Sequence, residues 1–190
     1  MSKKNEIKPN KGKVLISDPF LPDPNFSRTV VLLTEHNDEG TFGLVLNQLT
    51  DLRLDQVLGR EDFPSLPIYQ GGPVQLDTLH FIHSFGGALA GSIKIKEGLW
   101  WGGDFEALAE ILSSNDYNEQ QFKFFIGYSG WGEGQLNDEL NQNSWIVSDI
   151  KPIEALSNDD DSQALWNEAM KNRGGTDQYL ANSPLDPQWN

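Results

Sequence analysis

The sequence of 190 residues predicts one α+β domain built on a mixed or antiparallel sheet. Segments rich in β-branched residues follow one another through short turns, which favours antiparallel pairing of neighbouring strands. Helical segments lie between the strands without the regular alternation of a parallel α/β fold. No internal repeat and no proline- or serine-rich linker divides the chain, and its length suits a single domain.

The first part of the chain is predicted to be mostly strand. KVLIS (13–17) predicts a first strand, and the three prolines of DPFLPDPN (18–25) predict an extended loop. FSRTVVLLTEH (26–36) is rich in β-branched residues and predicts a long, largely buried strand. NDEG (37–40) then predicts a hairpin turn into an antiparallel strand at TFGLVLN (41–47).

The rest of the chain mixes strands with helices. Further strands are predicted at LPIYQ (66–70), TLHFIHS (78–84), SIKIK (92–96), QFKFFIGYS (121–129) and SWIVSD (144–149). Helices are predicted at 54–58, at DFEALAEILSS (104–114) with Asp104 as N-cap, at GQLNDELNQN (134–143), and at QALWNEAMKNR (163–173), which Gly174 and Gly175 end. The final YLANSPLDPQWN (179–190) is predicted to be irregular.

The composition excludes several classes of protein. The chain has no cysteine, which excludes a disulfide scaffold, a thiolate metal site and a cysteine nucleophile. The longest strictly aliphatic run, Val30–Leu33, is far shorter than the roughly 20 residues of a membrane span. The N-terminus carries lysines with no apolar segment behind them, unlike a signal peptide. We therefore expect a cytoplasmic protein.

The chain is strongly acidic, with 28 acidic against 14 basic residues. Five of the basic residues lie in the first 13 positions, and we predict a flexible lysine-rich tail over 1–12 followed by one domain over 13–190. Beyond position 13 the chain carries 9 basic and 27 acidic residues, a net charge of −18. Because nucleic-acid affinity depends on cationic contacts to phosphates, a direct nucleic-acid partner is disfavoured.

A glycine-rich segment, GYSGWGEGQL (127–136), is compatible with three kinds of site. A phosphate-binding loop is disfavoured because Glu133 and Gly134 stand where GxxxxGK[ST] needs a lysine and a hydroxyl residue. A nucleophile elbow around Ser129 is disfavoured because Trp131 replaces the second glycine of GxSxG. We favour the third interpretation, a tight corner that displays aromatic side chains. Core packing and a binding surface stay equal alternatives for Trp131, and core packing is favoured for Tyr128.

No metal or cofactor is expected. His80 and His83 are three residues apart on a predicted strand, so they face opposite sides and cannot chelate one ion. The acidic segment SNDDDS (157–162) lacks the glycine and the distal glutamate of a calcium loop. We expect it to be a solvated loop that leads into the last helix.

Three blocks occur in order along the chain: DPNFSRTVVLLTEHNDEGTFGLVLN (23–47), IYQGGPVQ (68–75) with the later HS (83–84), and GYSGWGEGQL (127–136) with Glu139, Asn143 and Trp145. Together they resemble the UPF0301 family of bacterial proteins, also called YqgE/AlgH or DUF179, between Leu15 and Trp145. The resemblance implies a single α+β domain whose bent, partly bifurcated sheet curls into a pseudo-barrel flanked by helices. Ser129 departs from the alanine that is frequent in this family, which further disfavours a nucleophile at that position.

The resemblance implies no established enzymatic activity. Some members are labelled transcriptional regulators because their disruption alters gene expression, which does not require contact with DNA. We expect a non-enzymatic binding module with a protein or small-molecule partner, and we assign no catalytic residue. The alternatives are a hydrolase-like enzyme that uses His36 or His83 with Glu35 or Glu139, and a transcriptional regulator.

The binding surface is expected where TEHNDEG (34–40), GGPV (71–74) and the glycine-rich segment converge, because glycine-rich loops on a rigid sheet are usual places for sites. The candidate residues are Glu35, His36, Asn47, Gly71, Gly72, Pro73, Tyr128, Gly130, Trp131, Gly132, Gln135 and Glu139.

Overall fold

The computed structural model describes residues 7–173 and residue 181. Residues 1–6 of the predicted tail, Gly174 and Gly175, and most of the predicted irregular C-terminal segment lie outside these ranges. The described residues contain ten strands: β1 (Val14–Ser17), β2 (Val30–Asn37), β3 (Gly40–Val45), β4 (Leu49–Arg53), β5 (Pro67–Gln70), β6 (Val74–His83), β7 (Ile93–Lys96), β8 (Leu99–Trp101), β9 (Phe122–Gly132) and β10 (Trp145–Ser148). Their helices are α1 (Leu54–Leu58), α2 (Phe105–Ser114), α3 (Gln135–Asn141), α4 (Pro152–Ala155) and α5 (Ala164–Arg173).

The strands form one mixed sheet in the order β10-β1-β2-β3-β9-β6-β8-β7. Neighbours along this path are antiparallel, and β5 joins it as a branch that pairs parallel with β9 and antiparallel with β4. The two ends of the path do not pair within the described residues, so the sheet is not closed into a barrel. The predicted α+β class with a mixed, partly bifurcated sheet is confirmed.

Alternate residues of the inner strands enter different cores. In β2, Val30 and Leu32 face a core that α5 covers, while Val31 and Leu33 face a core beneath α3. Both sets are buried, because helices lie on both sides of this part of the sheet. A third core, around Phe124 of β9, lies beneath α1 and α2.

Most of the predicted elements are present, and their ends follow local signals. The predicted N-cap Asp104 accepts a hydrogen bond from the backbone N–H of Ala107 at 2.8 Å and starts α2. The β2–β3 turn is held by Asn37, whose side-chain oxygen accepts from the backbone N–H groups of Glu39 and Gly40. Within the described residues, no helix combines the length and apolar character that a membrane crossing requires.

The predicted corner at 127–136 is wrong in its first half. Strand β9 continues through Gly132, and the turn into α3 is formed by Glu133 and Gly134 only. Close backbone packing occurs instead between β9 and the segment after β5, at Gly72 and Gly127. A Cβ atom added to Gly72 would lie 2.2 Å from the backbone carbonyl of Tyr128, which no real side chain tolerates.

Gly127 marks the irregularity that the turn prediction detected. Its φ of +65° is a left-handed conformation that favours glycine, and a Cβ atom there would lie 2.7 Å from the carbonyl oxygen of Gly72. The pairing of β9 with β6 shifts register across this position, between Val74 and Leu79. Residues 75–78 of β6 oppose Gly127 alone in β9, so Gly127 lies opposite a bulge in β6.

We expect Gly72→Ala to lower the free energy of unfolding by about 2 kcal/mol or more, because the added methyl group overlaps the backbone of Tyr128. The matched control is Gly132→Ala, where no atom lies within 4 Å of the added Cβ, and we expect a change of less than about 0.5 kcal/mol. Chemical denaturation of both variants measures these values. Equal stability of the two variants would contradict the close approach of β5 and β9.

Candidate functional site

The three predicted segments converge on one open surface depression of about 490 Å³, which we call the hairpin concavity. It is lined by Glu35, Asn37, Glu39, Gly40, Thr41 and Phe42 of the β2–β3 hairpin, by Val74 of β6, and by Tyr128, Gly130, Trp131 and Gly132 of β9.

Strand pairing determines the position of this concavity. Gly40 of β3 pairs with Gly132 of β9, and Phe42 pairs with Gly130, so the hairpin and the end of β9 form one surface. Val74 pairs with Tyr128 from the other side of β9. Gly132 leaves the backbone open here, since nothing lies within 4 Å of a Cβ built on this exposed residue. The sheet itself therefore supplies a shallow space between side chains.

A group of four half-buried rings, the aromatic cluster, adjoins the concavity. It consists of Phe42, His80, Trp101 and Tyr128. Phe42 stacks on Tyr128 with ring centroids 4.2 Å apart, and Trp101 lies 5.0 Å from Phe42. Desolvation by burial lowers the pKa of His80, which favours its neutral form in this apolar environment. The cluster gives the concavity a rigid apolar side.

The lining of the concavity is also acidic. Glu35 and Glu39 are exposed, and no basic side chain is among the residues that line the depression. A carboxylate pair beside aromatic rings favours a ligand that carries a positive charge and an apolar group.

Trp131 is a core residue, which settles the alternatives that the sequence left open. Its side chain is 5 % exposed and packs between Phe26 and Trp145. Its indole N–H donates to Oε2 of Glu139 at 2.8 Å, and the indole of Trp145 donates to the same oxygen at 2.7 Å. The interpretation in which Trp131 displays its ring to a partner is therefore wrong, although the residue contributes to the lining of the concavity.

Glu139 and Gln135 have structural contacts in this arrangement. Gln135 donates from Nε2 to Oε1 of Glu139 at 3.0 Å, and its own side-chain oxygen accepts from the backbone N–H of Gly132 at 3.0 Å. These bonds connect the end of β9 to the first turn of α3. Both residues hold the surrounding elements together and do not line the concavity.

The remaining candidate residues lie outside the concavity. Asn47 is buried, accepts from the backbone N–H of Val30, and donates to the carbonyl of Ser162 at 2.6 Å. Gly71 and Gly72 pack against the backbone of β9, and Pro73 is exposed beside them. His36 places Nδ1 2.7 Å from the hydroxyl of Thr41.

Sequence reasoning missed several lining residues, namely Asn37, Glu39, Gly40, Thr41, Phe42 and Val74. Four of the six, Asn37, Glu39, Gly40 and Val74, belong to two of the three segments that were expected to converge, so the segments carried a usable signal although the individual residues were not chosen. Thr41 and Phe42 had no such signal. The stacking of Phe42 on Tyr128 depends on a strand pair whose partners are separated by nearly half of the chain.

The geometry of the described residues does not support hydrolase chemistry. Ser129 is fully buried, and its hydroxyl donates to the carbonyl of Gly71 at 3.0 Å. His83 is also buried, and its Nε2 lies 2.9 Å from the carbonyl oxygen of Gly102, while desolvation lowers its pKa. Among the described residues, no three His, Asp or Glu side chains are grouped to hold a metal ion.

Comparisons with known proteins agree with this architecture. The family model DUF179, described as AlgH-like, matches residues 14–178. A UPF0301 protein of Cytophaga hutchinsonii is 42 % identical over 181 residues, covering 95 % of this chain and 98 % of the relative. One of Parabacteroides distasonis is 41 % identical over 188 residues, covering 98 % of this chain and 94 % of the relative.

Two solved structures resemble the fold. The solution structure of AlgH from Pseudomonas aeruginosa superposes with a TM-score of 0.72 at 27 % identity, covering 92 % of this chain and 94 % of that one. A crystal structure of a protein from Corynebacterium diphtheriae gives a TM-score of 0.77 at 22 % identity, covering 94 % of each chain. At 22 % identity, the likeness to the Corynebacterium diphtheriae protein concerns the fold alone.

We expect Glu139→Ala to destabilise the protein by about 2–4 kcal/mol, because two buried indole N–H groups lose their acceptor. Glu139→Gln keeps a carbonyl oxygen for one or both indoles, so its loss is expected to be smaller. The matched control is Asn137→Ala, an exposed position of the same helix, with an expected change below about 0.5 kcal/mol. Thermal and chemical denaturation provide the measurement. If Glu139→Ala left the free energy of unfolding unchanged, the carboxylate would not hold the two tryptophans.

Proposed function

The chain belongs to the AlgH-like family DUF179, which includes the UPF0301 proteins, and from this premise we propose that it is a non-enzymatic, cytoplasmic binding module with a protein or small-molecule partner. The observation that carries the proposal is the hairpin concavity, where three segments that are distant in sequence form one surface. A rigid sheet holds this surface, so a ligand meets side chains that are already positioned.

The chemistry of the concavity favours a basic segment of a partner protein. Glu35 and Glu39 provide two exposed carboxylates, and Phe42 and Tyr128 provide stacked rings. A lysine or arginine side chain has an apolar stem for the rings and a charged end for the carboxylates. The net charge of −18 beyond position 13 also attracts cationic partners during their approach.

The hydrolase alternative has less support. Its histidines, His36 and His83, make their hydrogen bonds to hydroxyl groups and a backbone carbonyl instead of to Glu35 or Glu139. A general base must reach the proton that it removes, and the fully buried His83 has no access to a substrate in solution.

A role in transcriptional regulation is compatible with the proposal if it passes through a protein partner. The acidic chain repels DNA phosphates, whereas a cationic segment of another regulatory protein fits the carboxylates of the concavity. The charge of the chain thus favours indirect regulation over direct binding of DNA.

Selection from a phage-displayed library of random peptides tests the proposed ligand class. We expect enrichment of peptides that combine Lys or Arg with an aromatic or aliphatic residue, and binding that weakens as salt increases. In the double variant Glu35→Gln/Glu39→Gln, affinity for a selected peptide should fall about tenfold, equivalent to about 1.4 kcal/mol. Isothermal titration calorimetry with the synthetic peptide measures the change.

The matched control for this experiment is Glu106→Gln/Glu110→Gln, which removes two exposed carboxylates from α2, away from the concavity. Its affinity for the same peptide should equal that of the wild type. Equal losses of peptide affinity in both double variants would show that the effect comes from net charge and not from the concavity. Enrichment of acidic peptides would contradict the proposed ligand class.

We expect the purified protein to show no sequence-specific DNA binding at about 150 mM salt, because its acidic surface has few cations that displace counterions. A band-shift assay with genomic fragments and unlabelled competitor DNA makes the measurement. A complex that survives this salt concentration and discriminates between sequences would favour direct regulation instead.

A further inference from the structure

Lys123, the second residue of β9, is a buried lysine far from the hairpin concavity. Its side chain lies on the face of the sheet that α4 and α5 cover, and the residue is 3 % exposed. Lysine is almost never fully buried unless its charge is paired. None of the described ion pairs includes this side chain.

The contacts of the Lys123 amine satisfy only part of its hydrogen-bonding capacity. Nζ donates to the backbone carbonyl of Ser157 and lies 3.9 Å from the centroid of the Tyr69 ring. An ammonium group has three N–H donors, and within the described residues this one makes a single hydrogen bond. Desolvation lowers the pKa of Lys123 to about 7, opposed by the nearby charge of Asp159. A large fraction of the amine is therefore neutral near neutral pH, with a lone pair available for reaction.

Lys123 lines a cavity of about 220 Å³ between the sheet and helices α4 and α5, which we call the lysine cavity. Leu46 and Leu165 contribute apolar walls, and Ile153, which is 68 % exposed, lies at its solvent side. Since one water occupies about 30 Å³ in the liquid, the cavity accommodates a molecule of several non-hydrogen atoms.

The charge of the lysine cavity limits what can enter. Glu154, Asp159, Asp161 and Glu168 are among its lining residues, and Lys123 is the one basic residue among them. A carboxylate or phosphate ligand would meet four acidic groups against one amine that is only partly charged. The acidic lining therefore disfavours an anionic ligand, and the apolar walls of Leu46 and Leu165 favour an uncharged one beside the amine.

From the cavity, the buried amine and the acidic lining, we propose that Lys123 captures a small uncharged aldehyde as a reversible imine. The amine lone pair attacks the carbonyl carbon, and a proton moves from nitrogen to oxygen to give a carbinolamine. The second N–H proton and the hydroxyl group then leave as water, and the carbon–nitrogen double bond forms. The step needs no oxidant or reductant, and the carboxyl groups that line the cavity are available to relay the protons.

A purely structural lysine would give a different chemical behaviour. In that case the bond to Ser157 holds the segment between α4 and α5 against the sheet, and the amine is shielded from reagents. Reactivity towards aldehydes therefore separates the two roles, independently of whether the hairpin concavity binds peptides.

Reductive trapping on the full-length protein tests the proposal. The protein is treated with limiting propionaldehyde and sodium cyanoborohydride at about pH 7.5, and the modified lysines are identified by peptide mass spectrometry. The exposed Lys171 is the internal reference. We expect Lys123 to be labelled at least about tenfold faster than Lys171, because a far larger fraction of its amine is neutral. With the anionic aldehyde glyoxylate, the ratio of Lys123 to Lys171 labelling should fall at least about tenfold.

Two variants complete the experiment. Lys123→Met should remove the fast adduct, and the matched control Lys96→Met should keep it, since Lys96 also donates to a backbone carbonyl, that of Ile150 at 2.7 Å, but does not line the cavity. Labelling of Lys123 no faster than that of Lys171 in the native wild type would overturn the proposal. This comparison decides the outcome even if Lys123→Met does not fold.

Discussion

Strand β9 has only two edges but pairs with three other strands, and the whole sheet depends on how this conflict is resolved. One edge carries β6. The other edge is shared in succession: β5 pairs parallel with Phe124–Ile126, and β3 pairs antiparallel with Ser129–Gly132. Gly127 lies between the two, with the left-handed φ that lets the strand change partner without ending. The hairpin concavity lies beyond this change, and Lys123 lies before it.

The sequence was sufficient for features that depend on local patterns. The β-branched run before His36, the hairpin after it and the N-cap at Asp104 are each specified within a few residues, and all three are present. The convergence of three segments on one depression was expected from the sequence because glycine-rich loops on a rigid sheet are usual places for sites. The short elements β4 and α4 were missed, since runs of four or five residues carry too little periodicity to be recognised.

Contacts between residues that are distant in sequence could not be predicted from the sequence. Gly127 of β9 resembles a turn residue until its close approach to the carbonyl oxygen of Gly72 is seen. The role of Glu139 depends on two tryptophans from different strands meeting at one oxygen. Lys123 had no signal at all, because one charged residue in an apolar strand normally indicates an exposed position, and only α4 and α5 make it buried.

The pairing of the first strand with the last has a consequence for the synthesis of the chain. Val14 of β1 pairs with Ser148 of β10, and the indole of Trp166 donates to the carbonyl of Ser17 at 3.0 Å. During translation, the apolar strands β1 and β2 leave the ribosome long before the residues that cover them. The outer edge of β1 lacks its partner β10, and one face of both strands lacks the cover of α5, until the C-terminal part of the chain is made. That interval exposes apolar strand surface to aggregation.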